Sequence, residues 1–249
     1  MKEPSWQWSV RGKHPAANDY IHLGQGFPLA AVFADWVKNG YHLAAPSGAH
    51  PSRLCSWRFW TRGAGSDVLV FGLVRDSSDR LGRPYPLLVM GTGPLPGWEE
   101  RWDLVSLACE NAWCRMEHQA AASMGRQSAP LADVRRLEAE ILAIKPPMAD
   151  WTGLLKERES WPGAFGAPAS MSGIVEDVME KEEVFIDLNQ GRPEHGHLPL
   201  VVSSWHRFLK AHLGDMPKVV FMGGTADKTF LAVFLRPLKP ADFVRLWSL

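Results

Sequence analysis

Seven consecutive residues, Val68-Leu69-Val70-Phe71-Gly72-Leu73-Val74, offer no polar side chain to either face of a strand. Side chains alternate across a strand, so a run that is apolar at every position needs cover on both sides. Such a strand belongs inside a sheet with helices over each face, which points to a layered α/β fold and away from an open meander. Trp57-Arg58-Phe59-Trp60 reads as its antiparallel neighbour, joined through the turn cluster Gly63-Ala64-Gly65-Ser66-Asp67.

Other elements are spaced along the whole chain. Trp6-Gln7-Trp8-Ser9-Val10 alternates as a half-buried strand, broken at Arg11-Gly12-Lys13-His14-Pro15, after which an exposed loop is expected. Leu29, Val32, Phe33, Trp36, Val37 and Tyr41 recur at helical steps, with Asn39-Gly40 as the expected helix end. Tyr85 to Met90 supplies a strand, residues 98–124 a long helix, and Arg135 to Ile144 another. Trp161 to Met171 is rich in Gly, Pro, Ala and Ser and reads as a linker or variable loop. Val184 to Leu188 resembles a strand, and Ser203 or Ser204 is placed to cap a helix over Trp205 to Lys210. Val219 to Met222 and Phe230 to Leu235 form a hairpin, and Pro240 opens a final helix. Strands and helices interleave without a break at the midpoint. The expectation is one domain over residues 1–249, an α/β fold with a mixed sheet sandwiched between helical layers in a three-layer α/β/α arrangement.

Charge narrows the function classes. With 27 basic and 27 acidic residues in 249, there is no long-range basic field, which disfavours non-specific nucleic-acid binding. The balance is uneven: an acidic stretch runs from Glu176 to Asp187, and after Gly191 eight Lys and Arg face four Asp and Glu. No window approaches the roughly 18 apolar residues of a membrane span, and no apolar segment follows the N-terminus, so a cytoplasmic protein without membrane insertion is expected. Cys55, Cys109 and Cys114 have neither disulfide-framework nor CxxC spacing and read as buried structural thiols. Cys109 and Cys114, roughly 140° apart on a helix, present no joint metal face. The tryptophans Trp6, Trp8, Trp36, Trp57, Trp60, Trp102 and Trp113 fall mostly on apolar faces and read as core, with some interface anchoring.

Candidate chemistry is sparse, and no cofactor or metal site is assigned. Glu194-His195-Gly196-His197, with Asp187, His206 and His212 nearby, is the densest set of metal-type ligands, but Pro193 and Pro199 make it a loop. Gly223-Gly224-Thr225-Ala226-Asp227-Lys228-Thr229 lacks the Gly a phosphate loop needs before its Lys and leads into a strand. His14, His22 and Asp19 lie close in one loop but without a nucleophile elbow. The segment from Asp76 to Pro86 differs in kind. It gathers four charges, Gly82 and two prolines between apolar strands, where an Asp79–Arg83 or Asp76–Arg80 pair braces the turn and the outer surface suits recognition of a partner.

Asp79-Arg80-Leu81-Gly82-Arg83-Pro84-Tyr85-Pro86-Leu87 resembles the DRVGRxFPL signature of the TagF (ImpM) family of type VI secretion accessory proteins. Gly12-Lys13-His14-Pro15-Ala16-Ala17-Asn18-Asp19-Tyr20-Ile21 is similar to its GKLPxxGDFV pattern, Phe33 and Trp36 to its FxxWxxW helix, and Trp57-Arg58-Phe59 to its WRF strand. The resemblance implies a cytoplasmic α/β protein without known catalysis, which represses secretion after translation by engaging the forkhead-associated scaffold protein. The partner-binding patch is expected at Lys13, Pro15, Asp19, Asp79, Arg80, Gly82, Arg83 and Pro84, with Arg80 and Arg83 as its hot spots. Two rivals remain: a hydrolase using His14, Asp19 or the His195/His197 pair, and a structural component of the secretion apparatus.

Overall fold

The structure, a computed structural model, describes residues 5–44, 54–121, 130–161, 180, 182–189 and 198–249. Its strands are β1 (Gln7–Gly12), β2 (Ile21–Gly24), β3 (Ser56–Arg62), β4 (Val68–Arg75), β5 (Leu87–Pro94), β6 (Glu183–Asp187), β7 (Val219–Gly224) and β8 (Thr229–Phe234). They form an eight-stranded sheet in the order β2-β1-β5-β4-β3-β7-β8-β6. Every neighbouring pair is antiparallel, which corrects the expected mixed sheet. An all-apolar strand reports cover on both faces and says nothing of strand direction, so composition alone could not decide this.

The helices are α1 (Pro28–Ala44), α2 (Val105–Ala108), α3 (Glu110–Ala121), α4 (Pro130–Leu142), α5 (Trp151–Ser160), α6 (Leu198–His212) and α7 (Pro240–Trp247). β4 behaves as its sequence requires. Leu69, Phe71 and Leu73 join one apolar cluster with Trp113 and Met116 of α3 and Trp205 and Leu209 of α6. Val70 and Val74, on the alternate positions, join another with Phe33 and Trp36 of α1 and Phe243 of α7. The indole of Trp113 donates to the carbonyl of Gly72 at 2.9 Å, which ties α3 directly to the backbone of β4.

Several boundaries differ from the periodic reading. α1 runs through Asn39-Gly40 to Ala44, because Gly40 sits where α7 crosses: a Cβ there would lie 2.3 Å from the Phe243 Cβ. Over the described residues 98–121, the long helix expected over 98–124 is a turn, a 3-10 segment at Trp102–Leu104, and then α2 and α3, and residues 122–124 lie outside the described residues. A straight helix would carry Asp103 to solvent, whereas here it is buried to meet Arg158 at 2.5 Å and Lys210 at 2.6 Å. α6 begins at Leu198, so Ser203 and Ser204 lie inside it and cap nothing. The Ser203 hydroxyl donates to the Asp103 carbonyl, and that of Ser204 to Leu200. β2 and α5 had no periodic signal strong enough to find. Residues 162–171 of the expected linker, and 176–179 and 181 of the acidic stretch, lie outside the described residues.

Candidate functional site

The register of β1 on β5 sets Gly12 opposite Leu87. The chain leaving Gly12 and the chain approaching Leu87 therefore emerge from the same end of the sheet, and the two motif segments meet there. Asp79 joins them. Its Oδ1 accepts the backbone amides of Leu81 and Arg83 at 3.0 and 2.9 Å, and its Oδ2 accepts Arg83 Nε at 2.7 Å and lies 3.0 Å from Lys13 Nζ. Burial pushes this carboxyl up, but the Arg83 amide, the Lys13 ammonium and the Arg83 guanidinium outweigh it and hold it at about 2. The expected Asp79–Arg83 brace is thus present. Gly82 donates its amide to the Asp79 carbonyl and adopts φ +79°, with open space where a Cβ would stand, so it is the left-handed backbone that requires glycine.

The segment after Gly12 is not the exposed loop its Gly and Pro suggest. His14, Ala16 and Ala17 are buried. His14 Nδ1 accepts the Ala16 amide and its Nε2 faces the Gln119 carbonyl, each at 3.0 Å, which fixes the Nε2–H tautomer and leaves neither nitrogen for a substrate. Burial lowers its proton affinity. The Arg80 amide donates to the Ala17 carbonyl, and Arg83 Nη2 donates to that of Asn18 at 2.6 Å, so the two loops share backbone bonds as well as charge.

What this frame exposes differs from what it buries. Lys13 and Asp79 face inward, Pro15 is half-buried, and Arg80 reaches Asp133 of α4 at 3.1 Å. Outward stand Asp19, Tyr20, Leu81, Gly82, Arg83 and Pro84, with Leu81 69% exposed and Tyr20 47%. Among the eight expected patch residues, Lys13 and Asp79 are therefore the internal brace, and Arg83 is shared between that brace and Asp19, 3.6 Å away.

Sequence reasoning missed the aromatic part of the surface. The chain has three tyrosines, and all three converge here. The Tyr20 and Tyr85 rings lie 5.6 Å apart and those of Tyr41 and Tyr85 5.0 Å, and the Tyr41 hydroxyl donates to the Pro84 carbonyl. Burial pushes the Tyr85 phenol up to about 12, with Tyr20, Tyr41 and Asp35 adding to it. The rarity of tyrosine in this sequence was the only available signal.

The remaining candidates fall elsewhere. Gly223-Gly224 ends β7 and Thr229 begins β8, the expected hairpin. His206 is fully buried between Trp60 and Trp102, at 5.6 and 5.4 Å between ring centroids, and His212 Nδ1 faces the Phe208 carbonyl. Glu194, His195 and His197 lie outside the described residues. Among the described residues no group of three or more His, Cys, Asp or Glu is placed to hold a metal ion, and no helix is long and apolar enough to cross a membrane. Cys55 and Cys109 are buried as expected, but Cys114 is exposed on α3 because its position turns away from the Trp113 and Met116 face.

These features define an α/β protein with an antiparallel eight-stranded sheet, at one end of which two loops are locked around a single buried carboxylate. The family model described as the TagF N-terminal domain, type VI secretion system-associated, matches residues 9–143, more than half of the sequence, and the chain belongs to that family. The crystal structure of PA0076 from Pseudomonas aeruginosa PAO1 is similar in fold, with a TM-score of 0.54 at 17% identity, covering 97% of this chain and 94% of that one. No curated protein matches the sequence.

Proposed function

We propose that this type VI secretion-associated protein works by binding and not by catalysis, as a cytoplasmic repressor that engages the forkhead-associated scaffold protein. The observation that carries the reading is the two-loop surface: segments some sixty residues apart are fixed by Asp79 so that Tyr20, Leu81 and Arg83 face outward from a rigid frame. Interfaces concentrate their binding energy in Tyr, Trp and Arg anchors held in place before contact. The same reading takes the sheet as the middle of three layers, supported by the two apolar clusters on alternate strand positions.

The experiment is a deletion in the native host, complemented with wild type or with Leu81→Asp. A repressor predicts that secretion rises on deletion, returns to its basal level with wild type, and stays high with Leu81→Asp. Secretion abolished by the deletion would identify a component of the apparatus and overturn the proposal.

A further inference from the structure

Among the described residues, the Arg11 side chain beside this surface has no bonded partner. Arg11 stands on β1, opposite His22 of β2 and Leu88 of β5. It is half-buried, its Nε is closed off from solvent with nothing to donate to, and its side chain forms no hydrogen bond or ion pair among the described residues. Ser9, two residues earlier and so on the same strand face, is 2% exposed, and its hydroxyl is likewise unpartnered. The motif cations beside it are engaged: Lys13 and Arg83 with Asp79, Arg80 with Asp133. A half-buried guanidinium without an ion pair has lost hydration at Nε without gaining a bond there, which is unfavourable until an anion arrives.

The surroundings indicate what would arrive. Arg11 is close enough to Tyr20 to act on its phenol, and Tyr20 leads through Tyr85 to Tyr41. A methyl group at Gly26 would meet Arg11 Nη2 at 3.9 Å, so the guanidinium reaches the chain between β2 and α1. Asp35 acts on both Tyr20 and Tyr85, yet forms no ion pair with Arg11. The arrangement is a fork-shaped donor beside an aromatic platform that is in part exposed. We propose that Arg11 receives the carboxylate of an acidic side chain, Asp or Glu, from a protein partner whose neighbouring residues lie on the Tyr20–Tyr85–Tyr41 cluster. A carboxylate takes two parallel bonds from a guanidinium, and tyrosine supplies rigid contact area around it. This rests on the reading of the chain as a binding protein and adds the chemistry of what it binds.

Two measurements on the full chain test it. In the first, the Arg Nε–H resonances are followed by NMR while N-acetylglutamate N-methylamide is added, the Arg11 signal being identified by its loss in Arg11→Lys. A saturable downfield shift of Arg11, with the Tyr20 ring signals moving in step and the other arginines still, is expected. An unmoved Arg11, or all exposed arginines shifting alike, overturns the proposal. So does an Arg11 signal that is already hydrogen-bonded in the free protein and loses that bond in Asp35→Asn. In the second, calorimetry with the purified forkhead-associated scaffold protein is expected to show binding weakened about tenfold or more by Arg11→Gln and unchanged by Arg115→Gln on α3, with circular dichroism confirming that both variants fold. Wild-type binding that Arg11→Gln leaves intact overturns the Arg11 assignment while the binding function stands. Absence of wild-type binding overturns the proposed partner, and the first measurement then decides the role of Arg11.

Discussion

Asp79 and Lys13, 66 positions apart in the sequence, form an ion pair of 3.0 Å in which the carboxylate has no solvent-exposed surface. The pair closes the two-loop surface from beneath, because the same carboxylate also holds the Leu81 and Arg83 amides. Replacing Asp79 with Ala removes four acceptor contacts at once, so hydrogen exchange at Leu81 and Arg83 is expected to accelerate sharply, and the melting temperature to fall. Lys13→Met should speed the same amides by less, since Arg83 still holds the carboxylate.

Acid acts on this brace in a defined window. The folded carboxyl titrates at about 2 against an ordinary 3.8, so its stabilising contribution is complete above the ordinary value and disappears as the pH falls from there through about 2. The Leu81 amide chemical shift should titrate with a midpoint near the lower value, and a midpoint at the ordinary value would show the brace absent in solution.

His206 should make the protein sensitive to milder acid. Burial depresses its proton affinity to about 3 from 6.5, with Asp103 opposing the effect, and neither ring nitrogen has a hydrogen-bond partner among the described residues. Between those values the unfolded chain binds the proton more readily, so stability falls as pH drops below 6.5, by at most about 1.4 kcal/mol per pH unit for this one group. Denaturant titrations from pH 7 to 4 should show a flatter profile for His206→Phe than for wild type, with a residual slope from His14, which burial also depresses.

Gly40→Ala sets two effects against each other. Alanine favours the helix by about 1 kcal/mol, whereas the added Cβ would stand 2.3 and 2.5 Å from the Phe243 Cβ and Cγ. Overpacking of this kind costs about 1–3 kcal/mol, so the net expectation is destabilisation measured by chemical denaturation, relieved in the double variant Gly40→Ala/Phe243→Leu. A stabilised single variant would mean that α7 shifts freely on α1.

Asp103 neutralises two cations, Arg158 and Lys210, in a site where both Asp103 and Arg158 are less than 10% exposed. Asp103→Ala leaves Arg158 buried without a counter-charge and should cost about 3–5 kcal/mol. Arg158→Met should cost less because Lys210 remains, and the double variant should fall well short of the sum, the mark of a direct coupling.

Local spacing carried much of the fold. The apolar run of β4, the stripe of α1, the Gly-rich turn between β7 and β8, and Pro240 at the start of α7 each act within one element, so residue order fixes them. The Asp79–Arg83 bond was legible for the same reason, since its partners are four residues apart in one loop. β2, with four residues, and α5, with no clear apolar stripe, gave no comparable signal.

Antiparallel pairing throughout the sheet, the passage of α1 through Gly40, the burial of His14, the Lys13–Asp79 bond, the meeting of three tyrosines and the isolation of Arg11 were decided only by the tertiary structure. Each depends on which distant segment lies alongside, and that is set by the strand register that brings Gly12 opposite Leu87 and by the helix crossing that brings Phe243 onto Gly40. The sequence determined which residues need cover and which loop is braced. It could not say whose charge remains unpaired, because that depends on the neighbours supplied when the whole chain has folded.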